Sequence, residues 1–308
     1  MNLKNILSEA EFESVTEKSN WLGAGIIIFD WLVIAGAFAM VAAFPNPLTI
    51  LLAIMLIGAR QLGLGVVVHE TGHRTLFTSR ALNDFCGKWL TGYLVFSNKD
   101  AYMRVHLQHH RNAGTEQDPD LANYRNYPIT TRSLRRKIWR DVSGQVGWRR
   151  VKSIGRTIYR LPKLDAEMRQ YILGSIGMNL LLLAALTAFG FPWLYLLWVV
   201  AFMTSHMLVS RIRQIAEHAA VPDLFDLDPR KNTRTMLISW WERLFIAPHG
   251  VSYHLEHHLQ ASIPIYRLGR LHKLLVDKGF YDGVEFEKGY INLLKNVTYA
   301  GVDASAGA

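Results

Sequence analysis

Val251-Ser252-Tyr253-His254-Leu255-Glu256-His257-His258 places three histidines at i, i+3 and i+4. The same H-x-x-H-H spacing occurs once more, at His106, His109 and His110. On a helix these offsets share one face, with Cβ atoms about 5–6 Å apart, so each triplet makes a comb of imidazoles able to chelate. His69 and His73, at i and i+4, end an apolar run and form a third comb. Eight of the twelve histidines therefore lie in three helical combs far apart in sequence. Histidines satisfied singly in a core have no reason to group in this way, and the pattern implies one metal site assembled from distant segments.

The length of 308 residues would accommodate two soluble domains. Composition points elsewhere, with 50% hydrophobic residues and nine Trp. The single cysteine, Cys86, excludes an internal disulfide framework and a thiolate cluster. Any metal must then be held by nitrogen and oxygen. The first twenty residues carry four Glu and two Lys without an apolar core, which is not the pattern of a cleavable signal peptide.

Four apolar stretches are long enough to cross about 30 Å of hydrocarbon: residues 21–44, 48–68, 172–189 and 193–209. They pair through two uncharged turns, Phe44-Pro45-Asn46-Pro47 and Gly190-Phe191-Pro192. The expected fold is an all-α integral membrane protein, one domain over 1–308, with four transmembrane helices in two hairpins. A cytoplasmic helical cap (69–171 and 210–299) would carry the metal site, and a disordered tail of small residues would follow over 300–308. Trp89 to Phe96 is too short to cross and is expected to be re-entrant, interfacial or buried. Gly114 to Thr131, with Pro119 and Pro128, reads as an ordered loop, followed by basic amphipathic helices up to Arg169. Met236 to Ile246 reads as an interfacial helix bearing Trp240 and Trp241, with a further helix around Leu268 to Leu275.

Charge supplies the orientation. Residues 99–171 hold sixteen Lys and Arg against seven Asp and Glu, a balance of +9 that equals the net charge of the whole chain. The positive-inside bias puts this stretch, every histidine comb and both termini in the cytoplasm, with a bacterial inner membrane expected rather than the endoplasmic reticulum.

Imidazole suits iron, copper, zinc and nickel, whereas calcium and magnesium prefer oxygen. Eight histidines exceed the four ligands that close a zinc site, so two metals are expected. His218, just past the fourth span, is the expected ninth ligand. Each ligand imidazole needs an acceptor for its other nitrogen, and Glu70, Asp118, Asp120, Glu217 and Glu256 stand where they can serve. Asp30 and Arg60, each about 13 Å from the cytoplasmic end of its span, are expected to pair or share a polar network beneath the site. Among the other histidines, His206 is expected to be structural, His249 to support the ligands from behind or to be structural, and His272 to lie at the surface.

His69-Glu70-Thr71-Gly72-His73, His106-Leu107-Gln108-His109-His110 and His254-Leu255-Glu256-His257-His258, in this order and with these hairpins, resemble the three histidine boxes of membrane fatty acid desaturases and related hydroxylases. Ala216-Glu217-His218 is similar to the additional ligand found after the last span in that family, and Asp118-Pro119-Asp120 to its loop after the second box. The resemblance covers about Trp21 to Leu275. It implies a non-haem di-iron centre (Fe2+/Fe3+) that uses O2 to oxidise an unactivated methylene of a fatty acyl chain, introducing a double bond. It implies ligation by His69, His73, His106, His109, His110, His218, His254, His257 and His258. Gln214 stands where some relatives place a polar residue that reaches iron through water. No haem-attachment motif, iron–sulfur cysteines or flavin fingerprint is present, so electrons are expected from a separate ferredoxin or small cytochrome with its reductase. The expected partners are thus a lipid or acyl substrate, that donor and the membrane, with no nucleic acid.

Other readings remain. A lipid or carotenoid hydroxylase or ketolase would use the same boxes. His69-Glu70-Thr71-Gly72-His73 also fits H-E-x-x-H, the zinc metalloprotease signature with Glu as general base, but leaves six or seven clustered histidines idle. A metal transporter would line the interior of its spans with ligands, and these spans contain His206 alone.

Overall fold

The computed structural model describes residues 3–300, so the predicted tail from 301 onward lies outside the described residues. A short amphipathic helix, α1 (Glu9–Thr16), opens with a capping box in which Ser8 and Glu11 satisfy each other's backbone amides. Ser19 then caps α2 (Asn20–Ala43). The next helix, α3 (Pro47–His73), starts where Asn46 accepts from the amides of Leu48 and Thr49 and Pro47 fills the first turn. The pair packs side by side as the first hairpin.

The half of α3 that ends on the histidines is buried almost all round, from Ile57 to Thr71, so it is the central post of the fold. Glycine makes the close approaches possible: a Cβ at Gly63 would fall 2.6 Å from an Asp30 carboxylate oxygen of α2, and one at Gly58 would overlap Ser205.

After α4 (Arg80–Phe85) the chain runs through a π-helical turn, Cys86–Thr91, and a 3-10 turn, Gly92–Val95. This is the segment too short to span; Thr91 to Val95 is buried, while Trp89 at its start is exposed. Irregular backbone at membrane depth is tolerated only where its polar groups find partners. Here the Trp31 indole donates to the Leu90 carbonyl at 3.1 Å, and the Asn179 amide donates to those of Tyr93 and Leu94.

The comb-bearing α5 (Lys99–Asn112) packs on α3. Beyond the 114–130 loop lie the basic amphipathic helices α6 (Thr131–Val142) and α7 (Gln145–Tyr159), and then α8 (Ala166–Ala188), the third span. This span packs chiefly on Gly92–Val95 rather than on the fourth, so the second hairpin is wedged open by the irregular segment.

The expected fourth span over 193–209 is not continuous. It is α9 (Tyr195–Met203) and α10 (Ser205–His218), broken at Thr204 (φ −121°, ψ −84°). The Thr204 hydroxyl bonds back to the Val200 carbonyl at 2.6 Å, a contact that bends helices. Ser205 Oγ donates across to the Ile54 carbonyl, seating α10 on α3.

The remaining elements are α11 (Pro229–Asn232), α12 (Trp240–Phe245), α13 (His254–Leu259), α14 (Ile265–Asp277) and α15 (Tyr290–Asn296). Two parallel pairs of two-residue strands, β1 (Ile129–Thr130) with β4 (Thr298–Tyr299) and β2 (Met236–Leu237) with β3 (Glu287–Lys288), tie the C-terminal segment to this helical cap.

Asp30 and Arg60 pair at 3.1 Å, both fully buried. The network is wider than a pair. Asp30 also bonds His249 Nε2 at 2.8 Å, and Arg60 donates to the carbonyls of Arg243 and Leu244. Two membrane helices thereby grip the segment that leads into α13. His249 itself holds a left-handed backbone (φ 60°) to make this contact. Removing one partner of a buried pair costs roughly 3–5 kcal/mol. Asp30→Asn and Arg60→Met are each expected to lower the unfolding temperature of the detergent-solubilised protein. The charge-swapped double variant should not recover it, because the swap sets a guanidinium against His249 and a carboxylate against two carbonyls.

Candidate metal centre

Four separate helices deliver the histidines. The last turn of α3 brings His69 and His73, α5 brings His106, His109 and His110, α10 ends on His218, and α13 brings His254, His257 and His258. The structure draws all nine together in two groups. His69, His73, His106, His110 and His257 form one, and His109, His218, His254 and His258 the other, with one ring nitrogen of each residue within 4.8 Å of those of its group. Within the first group the Nε2 atoms of His73 and His106 are 3.1 Å apart, His106 and His110 3.0 Å, and His110 and His257 2.9 Å. In the second, His218 and His254 are 3.0 Å apart and His109 and His258 3.3 Å. The groups adjoin, since the rings of His110 and His258 have centroids 4.5 Å apart.

Acceptors orient the rings from behind. His69 Nδ1 donates to Glu70 Oε1 at 2.9 Å, His109 Nδ1 to Asp118 Oδ1 at 2.9 Å and His218 Nδ1 to the Asn232 carbonyl at 3.0 Å. His254 Nδ1 lies 3.4 Å from Glu217 Oε1. A proton held on Nδ1 leaves the Nε2 lone pair directed inward, and His69 Nε2 is buried with no hydrogen-bond partner. The acceptors are themselves held: Glu70 Oε2 receives the Thr75 hydroxyl and the Ile265 amide, and Asp118 receives the Tyr124 hydroxyl.

Electrostatics favours ligation. Burial, reinforced by the neighbouring imidazoles, pushes His110 down to about 3 and holds His106 and all three histidines of α13 well below the usual range. These rings are neutral at physiological pH, the form that binds metal.

Three sequence expectations need correction. Glu256 is fully buried but turns away from the imidazoles; its carboxylate accepts from His272 Nδ1 and the Tyr281 hydroxyl, both at 2.6 Å, and from Thr235. As the middle residue of an i, i+3, i+4 comb it falls on the opposite face of the helix. His272 is accordingly not a surface residue but the anchor of that carboxylate. The signal was in the sequence: Leu268, Leu271 and Leu275 define a buried face that also includes position 272. Asp120 reaches His109 only at 3.9 Å and is half exposed, so Asp118 is the main partner there. Gln214 is exposed and lines a small polar cavity of about 110 Å³ that opens onto His109, His218 and His254. His206 stacks on Phe202 away from the site, in line with a structural role.

Sequence reasoning did not find the Asn232 carbonyl, the Arg213–Glu217 ion pair at 2.6 Å or Tyr102, whose ring stacks on His106 at 5.2 Å. A backbone acceptor leaves no mark in a sequence. The Arg213–Glu217 pair, at i and i+4, was readable as such but not as part of the site.

A four-span helical membrane protein with two buried imidazole clusters at the ends of its spans belongs to a small class of proteins, the histidine-box oxidoreductases. The fatty acid desaturase family profile matches residues 45–286, and the chain belongs to that family. It is 28% identical to the dihydrorhizobitoxine desaturase of Bradyrhizobium elkanii over 280 residues, 85% of this chain and 77% of that protein. It is 26% identical to a β-carotene ketolase of Paracoccus sp. (strain PC1) over 253 residues, 80% of this chain and 89% of that protein.

Loss of the acceptor behind a ligand typically lowers metal affinity 10–100-fold. Glu70→Gln and Asp118→Asn are therefore expected to lower retained metal per chain under a chelator challenge, measured by elemental mass spectrometry. Glu256→Gln should affect thermal stability before it affects metal content.

Proposed function

We propose that the nine histidines hold two iron ions and that this integral membrane oxidoreductase introduces a double bond into a fatty acyl chain in an O2-dependent reaction. The observation that supports this best is the donor set: nine imidazoles in two adjoining groups, without thiolate. At a metal–nitrogen bond of about 2.1 Å, ligands at right angles sit roughly 3.0 Å apart and tetrahedral ones roughly 3.4 Å. Three spacings in the five-histidine group, 2.9–3.1 Å, lie near the first, and five nitrogen donors exceed the four that close a structural zinc site.

Bound iron would supply O2 binding and the oxidising power that no side chain has toward an unactivated C–H bond. The chain's own contribution is placement: α3, α5, α10 and α13 fix the imidazoles, and Glu70, Asp118 and the Asn232 carbonyl set the tautomers of His69, His109 and His218. Gln214, at the mouth of the polar cavity, is suited to hold a water against the four-histidine group. Desaturation takes two hydrogens from adjacent methylenes, while reducing O2 to two waters takes four electrons. The other two electrons come from a donor, a ferredoxin or small cytochrome with its reductase. The +9 balance of 99–171 supports a cytoplasmic position for donor, site and both termini.

Ketolation or hydroxylation of a lipid or carotenoid is the second reading, favoured by the relatives named β-carotene ketolase. A zinc protease is disfavoured because Glu70 is engaged by His69, Thr75 and the Ile265 amide, leaving no free general base. Metal analysis should return about two irons per chain rather than one zinc. The chain expressed with a ferredoxin and its reductase should create new double bonds in membrane acyl chains, read by lipid mass spectrometry. New hydroxyl or keto groups would support the second reading, and an unchanged lipid profile with zinc in the protein would overturn both.

A further inference from the structure

Away from the imidazoles, a cavity of about 630 Å³ lies between the first half of α2 and α12. Its walls are apolar: Trp21, Gly25 and Phe29 on one side, Trp240 and Leu244 on the other. The volume falls within the roughly 300–1,000 Å³ of small-molecule sites. Trp21 and Trp240, 88% and 77% exposed, flank its rim as side chains do at the bilayer interface. From Trp21 to Phe29 the wall runs two helical turns, about 12 Å into the apolar layer.

The two ends of this cavity differ in character. At the floor, Arg60 and His249 are both engaged by the buried Asp30 carboxylate, so no exposed net charge meets an occupant there. On the cytoplasmic-side helix α12, Arg243 lines the cavity with an exposed side chain that has no hydrogen-bond or ion-pair partner among the described residues. An apolar slot at membrane depth, with an uncommitted guanidinium on the helix that borders it, is complementary to an acyl chain joined to an anionic headgroup. The slot also abuts the histidine site. Tyr266 forms part of its wall, and the amide of the preceding residue, Ile265, holds the Glu70 carboxylate that orients His69.

We infer that this cavity is a binding site for an anionic phospholipid of the bilayer, one acyl chain lying between α2 and α12 and the phosphate on Arg243. The inference builds on the reading that this enzyme acts on lipid-borne chains, and it assigns the membrane phospholipid, rather than a water-soluble carrier, as the form in which a chain is held beside the site.

Gly25 gives a clean test, because a Cβ there meets nothing within 4 Å, so a larger side chain enters the cavity without displacing the helix. The full chain is placed in phosphatidylcholine nanodiscs containing a trace of phosphatidylglycerol or phosphatidylcholine with a photoreactive acyl chain, and cross-links are mapped by peptide mass spectrometry. A single basic contact near the surface contributes about 1 kcal/mol, or roughly a five-fold preference. Peptides spanning 21–30 and 240–249 should therefore label about five-fold more with the phosphatidylglycerol probe. Gly25→Phe should abolish that labelling, and Arg243→Glu should reduce the anionic probe to the level of the zwitterionic one. Metal per chain, unchanged in both variants, reports that they fold; if Gly25→Phe loses metal, Arg243→Glu decides alone. Equal labelling by the two probes in the parent protein, or labelling that survives Gly25→Phe in a metal-replete chain, would overturn the inference. So would labelling by photoreactive free fatty acid but not by phosphatidylglycerol. The readout needs no turnover, so it stands apart from the activity: a His110→Ala variant should label as the parent does, whatever the fate of the proposed reaction.

Discussion

Nine imidazoles, each with a ring nitrogen within 4.8 Å of the others in one of two groups, are the constraint on which this architecture depends. Each ring must be kept unprotonated and aimed inward. Burial does the first, since a buried imidazolium would lose hydration with like charges close by. Fixed acceptors do the second, by holding Nδ1–H at His69, His109 and His218. Both requirements place the site at the seam between membrane helices and cap, where α3 and α10 end and α5 and α13 close over them.

Holding that seam requires rigidity from both sides. On the membrane side, Asp30 and Arg60 would be expensive to bury alone, and they are joined instead to His249 and to two carbonyls of α12. Those contacts tie the stretch preceding α13 to the first hairpin. On the cap side, Glu256 gathers His272, Tyr281 and Thr235 behind α13 and fixes the back of the same helix. A six-residue helix has little stability of its own. The third histidine box is therefore positioned by polar anchors on either side of it rather than by its own helicity.

The break at Thr204 and the irregular turns over 86–95 follow the same logic. Each is a departure from regular helix within the apolar layer, and each is offset by a named partner: Thr204 bonds Val200, Trp31 bonds Leu90, and Asn179 bonds Tyr93 and Leu94. These departures let α8 stand off from α9 and let α10 lean on α3, which carries His218 into the second histidine group.

Much of this was legible from residue order alone. Apolar length marks the four spans, because hydrocarbon thickness sets a minimum run. Helical spacing marks the combs, because 3.6 residues per turn puts i, i+3 and i+4 on one face. The Asp30–Arg60 pair also follows, because two charges at one depth in adjacent spans have few other partners. What the sequence could not decide were the contacts between residues distant along the chain. The division of nine histidines into five and four, the Asn232 carbonyl behind His218, the outward turn of Glu256 and the cavity between α2 and α12 all arise where separate helices meet. Local periodicity fixes which face a side chain occupies, but only packing decides what that face meets.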